Sequence, residues 1–162
     1  MALIEEDPNA RFEKAMFNLL RSFNYIDHNL GLSISFLAEP GSPQSTYKKL
    51  SNISFDQRMK WFKKLITANE VVGEKVKEEF VKWTISADKA RELRNMYVHA
   101  IWRFNPSMLG KPVNISSPIW MRDKLGDVVS QDLSLDELER NAADVDKIFK
   151  DFIKIRRKYN FF

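Results

Sequence analysis

The chain has 162 residues, 44% of them apolar and 30% charged, and its 26 Lys+Arg against 22 Asp+Glu leave a net charge of +4. That is the composition of one globular domain, residues 1–162, able to bury roughly 68–70% of the surface its unfolded form exposes without a covalent staple. With no cysteine, and with His28 and His99 as its two histidines, the chain excludes disulfide scaffolds, thiolate or all-histidine zinc sites, iron–sulfur clusters and cysteine nucleophiles. The mild positive charge is compatible with a polyanionic partner and does not require one. Residues 1–8 are acidic, unlike a signal peptide, and the longest weakly charged apolar stretch, 30–38, is far short of the ~20 residues that span a bilayer. A cytoplasmic protein without membrane contact is the expectation, and no motif asks for a cofactor.

Phe12, Met16, Leu19, Phe23, Ile26 and Leu30 recur at spacings of 4, 3, 4, 3 and 4, which predicts one long amphipathic helix starting just after Pro8. Gly31 is expected to bend or fray it. Pro40-Gly41-Ser42-Pro43 stops any continuation beyond that glycine, and the segment to Ile53, rich in Ser, Pro and Gly, reads as a loop. Ser54 with Gln57 forms a capping box, and the stripe Phe55, Met59, Phe62, Ile66 carries a second helix to about Thr67. A third helix is predicted over 69–102, with Ser86-Ala87-Asp88 as a candidate interruption. Between 104 and 131 the periodicity is lost, and short strands at 113–115, 119–122 and 128–129 predict a loop or β-hairpin insertion. Ser134 with Glu137 is a second capping box, opening a last helix on the stripe Leu138, Ala142, Val145, Ile148 or Phe149, Phe152, Ile155, Tyr159. The expected fold class is all-α. It is an up-and-down bundle of four to five helices, with the insertion before the last one and shallow crossing angles near 20°.

Packing accounts for most of these residues but not for Arg94. At about 100° per residue, Val76, Phe80, Trp83, Ala87, Ala90, Tyr97 and Ile101 fall on one stripe, with Arg94 near its centre. A guanidinium there must be paired, or must face a polar groove or another subunit, because an unpaired buried charge costs several kcal/mol. Asn95 and His99 share a neighbouring face about 40° apart. His99 stands about 140° from Arg94, so a site using both needs a second wall, from another helix or a second copy. These residue types suit phosphoryl chemistry. Imidazole, with an ordinary pKa near 6.5, takes or gives a proton at neutral pH. Arginine stabilises charge spreading over phosphate oxygens, and Asn95 fixes the imidazole tautomer or holds a phosphate oxygen. On RNA, a base acting on the 2′-hydroxyl permits attack on the adjacent phosphorus without a metal.

The segment Arg94-Asn95-Met96-Tyr97-Val98-His99 resembles the Arg-Asn-x-x-x-His form of the Arg-x(4–6)-His motif of HEPN domains (higher eukaryotes and prokaryotes nucleotide-binding). Its setting is also similar: late in a long helix of an all-α bundle, before an irregular segment and a closing helix. Ala100-Ile101-Trp102 resembles small bacterial members with a tryptophan after the histidine and a hairpin next. The resemblance implies a metal-independent endoribonuclease, or an RNA- or nucleotide-binding relative, working as a homodimer whose two motifs converge and leaving a 2′,3′-cyclic phosphate. It implies Arg94 as charge stabiliser, Asn95 as polar helper and His99 as acid/base. It also implies a toxin or phage-defence effector with a protein antitoxin as partner.

Two basic regions are candidate RNA contacts. One is Lys48, Lys49, Arg58, Lys60, Lys63 and Lys64, and the other is the cation cluster of the last helix, which the helix dipole also explains. From the first region Lys48, Lys49, Lys63 and Lys64 are taken as nucleic-acid contacts, with Arg91 beside the motif. The competing reading is structural. Arg94 then pairs with a carboxylate of a neighbouring helix, Asp144, Asp146 and Asp151 being candidates, and His99 caps a carbonyl or packs beside Trp102. On that reading the chain is a non-catalytic helical interaction module.

Overall fold

The computed structural model describes residues 7–108, 110–116 and 130–159. Asp7 caps the first helix by accepting from the Asn9 backbone N–H at 3.1 Å, and Pro8 occupies the first turn, where its missing N–H costs nothing. The helix, α1 (Pro8–Ala38), passes Gly31 without ending. Past that point its buried Ser33 and Ser35 donate back to the carbonyls of Asn29 (2.7 Å) and Gly31 (3.0 Å), and Ile34 is sealed in the core. The segment read as loop contains a second helix, α2 (Gln44–Leu50). Pro43 gives it no side-chain cap. Glu39 caps it instead, accepting from the Thr46 N–H (3.2 Å), the Thr46 hydroxyl (3.0 Å) and the Ser45 hydroxyl, and these bonds hold the Glu39 carboxyl below its ordinary range.

Both capping boxes form as the sequence predicts, opening α3 (Phe55–Ala68) at Ser54 and the last helix, α5 (Leu135–Lys158), at Ser134. Between them, α4 (Glu74–His99) is shorter than expected at both ends. At its start the Asn69 side chain accepts from the N–H groups of Val71 and Val72, a local turn that competes with helix. Ser86-Ala87-Asp88 does not interrupt it, since Ala87 is fully buried and Asp88 is spent on a surface ion pair.

At its other end α4 yields to a three-stranded antiparallel sheet, β1 (Ile101–Phe104), β2 (Val113–Ser116) and β3 (Ser130–Leu133), in that spatial order. The sheet begins before the expected insertion and makes the fold mainly helical with a small β element. The proposed strands at 119–122 and 128–129 lie outside the described residues. Register places Trp102 opposite Ile115 and Phe104 opposite Val113, which in turn faces Leu133. This inner row packs on α1, where Phe12 stacks on Phe104 at 4.9 Å and meets Trp102 edge-on at 5.8 Å.

Helix α1 is the spine, packing on α5 along its length and on α3 and α4 beside it. Phe62, Phe80, Trp83 and Phe152 knit α3, α4 and α5 together. One disparity of length positions the site. At 1.5 Å per residue, the 14 residues of α3 reach about 21 Å, against about 39 Å for the 26 of α4 and about 46 Å for the 31 of α1. The first turns of α3 sit level with Phe23 and Asp27 of α1, through the Phe55–Phe23 ring contact at 5.0 Å and the Arg58–Asp27 ion pair at 2.6 Å. Across the groove, Asp56 faces Asp88. The chain of α4 beyond Arg91 and that of α1 before Phe23 therefore extend past the cover that α3 provides.

Candidate functional site

Arg94 lies on that uncovered length of α4. It is half-buried rather than sealed, because the buried face of α4 moves to Ala90 and Tyr97 in the last turns, and Ile101 is on β1 and 40% exposed. The Arg94 guanidinium rests on the Phe23 ring, 5.7 Å from its centroid, and donates from Nη1 to the Asn95 side-chain oxygen at 3.0 Å. Among the described residues no carboxylate pairs with it. The acids that could have done so are engaged elsewhere or stand apart. Asp136 and Glu139 hold Arg11, Asp27 holds Arg58, Asp88 holds Arg91, and Asp146 holds Lys150 at 2.5 Å and accepts from Ser22. Asp144 and Asp151 are exposed and reach neither Arg91 nor Arg94.

Asn95 is half-buried, and by bonding it the guanidinium leans toward the side of α4 where His99 stands. His99 is the last residue of α4, solvent-exposed, and its imidazole makes no hydrogen bond to a described residue. Trp102 stacks on Tyr97, ring centroids 5.0 Å apart and 18° from parallel. The structure thus joins Arg94 to Asn95 directly and leaves His99 one turn further on, open to solvent.

Arg91 is held by carboxylates of its own helix. It is tied to Asp88 at 2.7 Å and lies 3.8 Å from Glu92, and the Asp88 bond raises its guanidinium pKa further. Lys63 lines the α3–α4 groove with Asp88, Lys60 and the exposed Ile85, and Lys64 is exposed on the same helix. Lys48 and Lys49 are on α2, Lys49 standing 4.1 Å over the Trp61 ring. These four lysines make no ion pair with a described residue, whereas Lys60 is tied to Asp56, and Arg58 is fixed between Asp27 and the Leu50 carbonyl. Asn141 belongs to no motif of the sequence. Its Nδ2 donates to the Tyr97 hydroxyl at 2.6 Å, and burial of that phenol outweighs the bond and pushes its pKa up. The available signal was a polar residue beside Leu138, Ala142 and Val145 on the inner side of α5.

Among the described residues no group of three or more His, Asp or Glu is placed to hold a metal ion, and no helix is long and apolar enough to cross a membrane. Comparison with protein-family models, with curated proteins and with solved structures returned no match.

Proposed function

We propose that the chain is a HEPN-type endoribonuclease that cuts RNA without a metal, with Arg94, Asn95 and His99 as its working groups. The observation that carries this reading is the guanidinium itself: half-buried on Phe23, with the neutral Asn95 as its hydrogen-bond partner and no carboxylate beside it among the described residues. Such a charge is a standing attraction for an anion. In the proposed reaction His99, as base, takes the proton of a 2′-hydroxyl. The 2′-oxygen attacks the adjacent phosphorus, the P–O5′ bond breaks, and the leaving 5′-oxygen takes a proton back from the imidazolium or from water, so that a 2′,3′-cyclic phosphate and a 5′-hydroxyl end remain. Arg94 stabilises the charge that gathers on the phosphoryl oxygens, and Asn95 orients the guanidinium.

Because Arg94 and His99 diverge by about 140° around α4, the second wall of the site comes from a second copy. Exposed Phe17 and Val98, on the uncovered ends of α1 and α4, and Ile101 at the start of β1, 63%, 42% and 40% accessible, give apolar surface for it to cover. Lys63 and Lys64, then Lys48 and Lys49, offer phosphate contacts along α3 and α2. A toxin or defence effector restrained by a protein antitoxin is the setting this reading fits. The same exposed apolar residues favour a second reading, a non-catalytic module docking a partner protein. Incubation with RNA in chelator separates the two. Cleavage that persists in chelator, yields cyclic-phosphate ends and vanishes in Arg94→Ala and His99→Ala with helicity intact supports the enzyme. Intact RNA with wild-type protein rejects it.

A further inference from the structure

We infer that Trp102 is a positioning residue for His99: its indole closes the last turn of α4 and so sets where the imidazole stands. This deepens the ribonuclease reading and, in its catalytic part, rests on it. The last carbonyls of a helix have no partner within the helix. Many helices meet them with a left-handed residue that folds backbone N–H groups back. Here the C-cap Ala100 is extended (φ −81°, ψ 157°) and Ile101 after it is already strand, so that device is absent. The indole replaces it. Trp102 Nε1–H donates to the Tyr97 carbonyl at 2.7 Å, while its ring lies flat on the Tyr97 ring.

Each half of this clamp is anchored elsewhere. Trp102 is held by its pairing opposite Ile115 and by the edge of Phe12, and Tyr97 by Asn141 of α5 through its hydroxyl. His99 comes two residues after Tyr97 and three before Trp102, so both covalent paths to it pass through clamped residues. Its exposed side chain has no hydrogen bond of its own to a described residue. Its position is therefore inherited from the clamp.

The protein carries its own control. Trp83 makes the same kind of bond, Nε1–H to the Ile148 carbonyl at 2.9 Å, but in the sealed part of α4 far from the motif. Trp102→Phe and Trp83→Phe each keep a ring and lose one indole N–H. The test records the 15N imidazole resonances of His99 at fixed pH, amide exchange over residues 97–100, and kcat and KM for RNA cleavage. In Trp102→Phe the resonances move and broaden, exchange accelerates, and kcat falls about 10- to 100-fold with KM little changed, as for a displaced catalytic group. Asn141→Ala, which loosens the clamp from α5, gives the same signature more weakly and serves if Trp102→Phe does not fold. Trp83→Phe lowers the melting temperature and leaves the His99 resonances where they were. Resonances and exchange unchanged in Trp102→Phe, or equally disturbed in Trp83→Phe, overturn the inference. If the wild type cuts no RNA, the imidazole and exchange readouts still decide the clamp, and the ribonuclease reading alone falls.

Discussion

Two halves of one helix obey different rules. From Val76 to Ala90, α4 is walled by α3 and α5. Phe80, Trp83, Ala87 and Ala90 are at most 4% accessible there, and the one buried hydroxyl, Thr84, is satisfied by the Val81 carbonyl. From Arg91 to His99 the cover of α3 is gone, and side chains that would be costly in the first half stand at the border of solvent. Polar chemistry on a packed helix needs no special backbone. It needs a neighbouring helix that stops early, so that a charge can keep contact with the core on one side and meet a ligand on the other.

The contrast breaks most severely in the sealed half. Phe152→Ala empties the contact shared by Phe80 and Trp83 and should cost about 3–5 kcal/mol by urea unfolding. In the open half, Arg94→Ala and His99→Ala should each lower RNA cleavage by about 10²–10⁴-fold while moving the melting temperature by no more than a few degrees. Arg94→Lys, which keeps the charge without the planar fork, should recover little of it. A melting temperature that collapses in either variant would mean the open half is structural after all.

Smaller effects sharpen the boundary. The double variant Lys63→Glu with Lys64→Glu should weaken RNA binding in a His99→Ala background and flatten its salt dependence. If both lysines meet phosphates, the slope falls by roughly 1.4, at about 0.7 per single-strand contact. The smallest is an acid effect far from the motif. The Arg11 bonds hold the Glu139 carboxyl below its ordinary value, so the pair contributes stability above the unfolded carboxyl range, and that stability is lost as pH falls through the folded value. Melting curves between pH 7 and pH 3 should therefore converge for wild type and Arg11→Met at the acid end.

Local rules were legible wherever the partners are close in sequence. The two capping boxes open α3 and α5 at Ser54 and Ser134, and the 4-3 stripe of α1 needs only its own period. Helix α2 escaped because its cap, Glu39, comes from outside the segment and seven residues hold too little periodicity. The end of α4 is hidden in the sequence because Ile101 continues the helical spacing by coincidence, while Ile101 and Trp102 pair with Ser116 and Ile115 as strand.

The motif, its face on the helix and the oddity of an arginine amid apolar residues follow from spacing alone, since helical geometry places side chains around an axis whatever lies outside it. Which carboxylate reaches which guanidinium does not. Arg11 and Arg58 found acids on other helices, through helix lengths and registers that join residues up to 128 positions apart, whereas Arg91 and Arg94 are bonded within α4, Arg91 to Asp88 and Arg94 to the adjacent amide. Coulombic pairing depends on distance in space, and that is set when the chain packs.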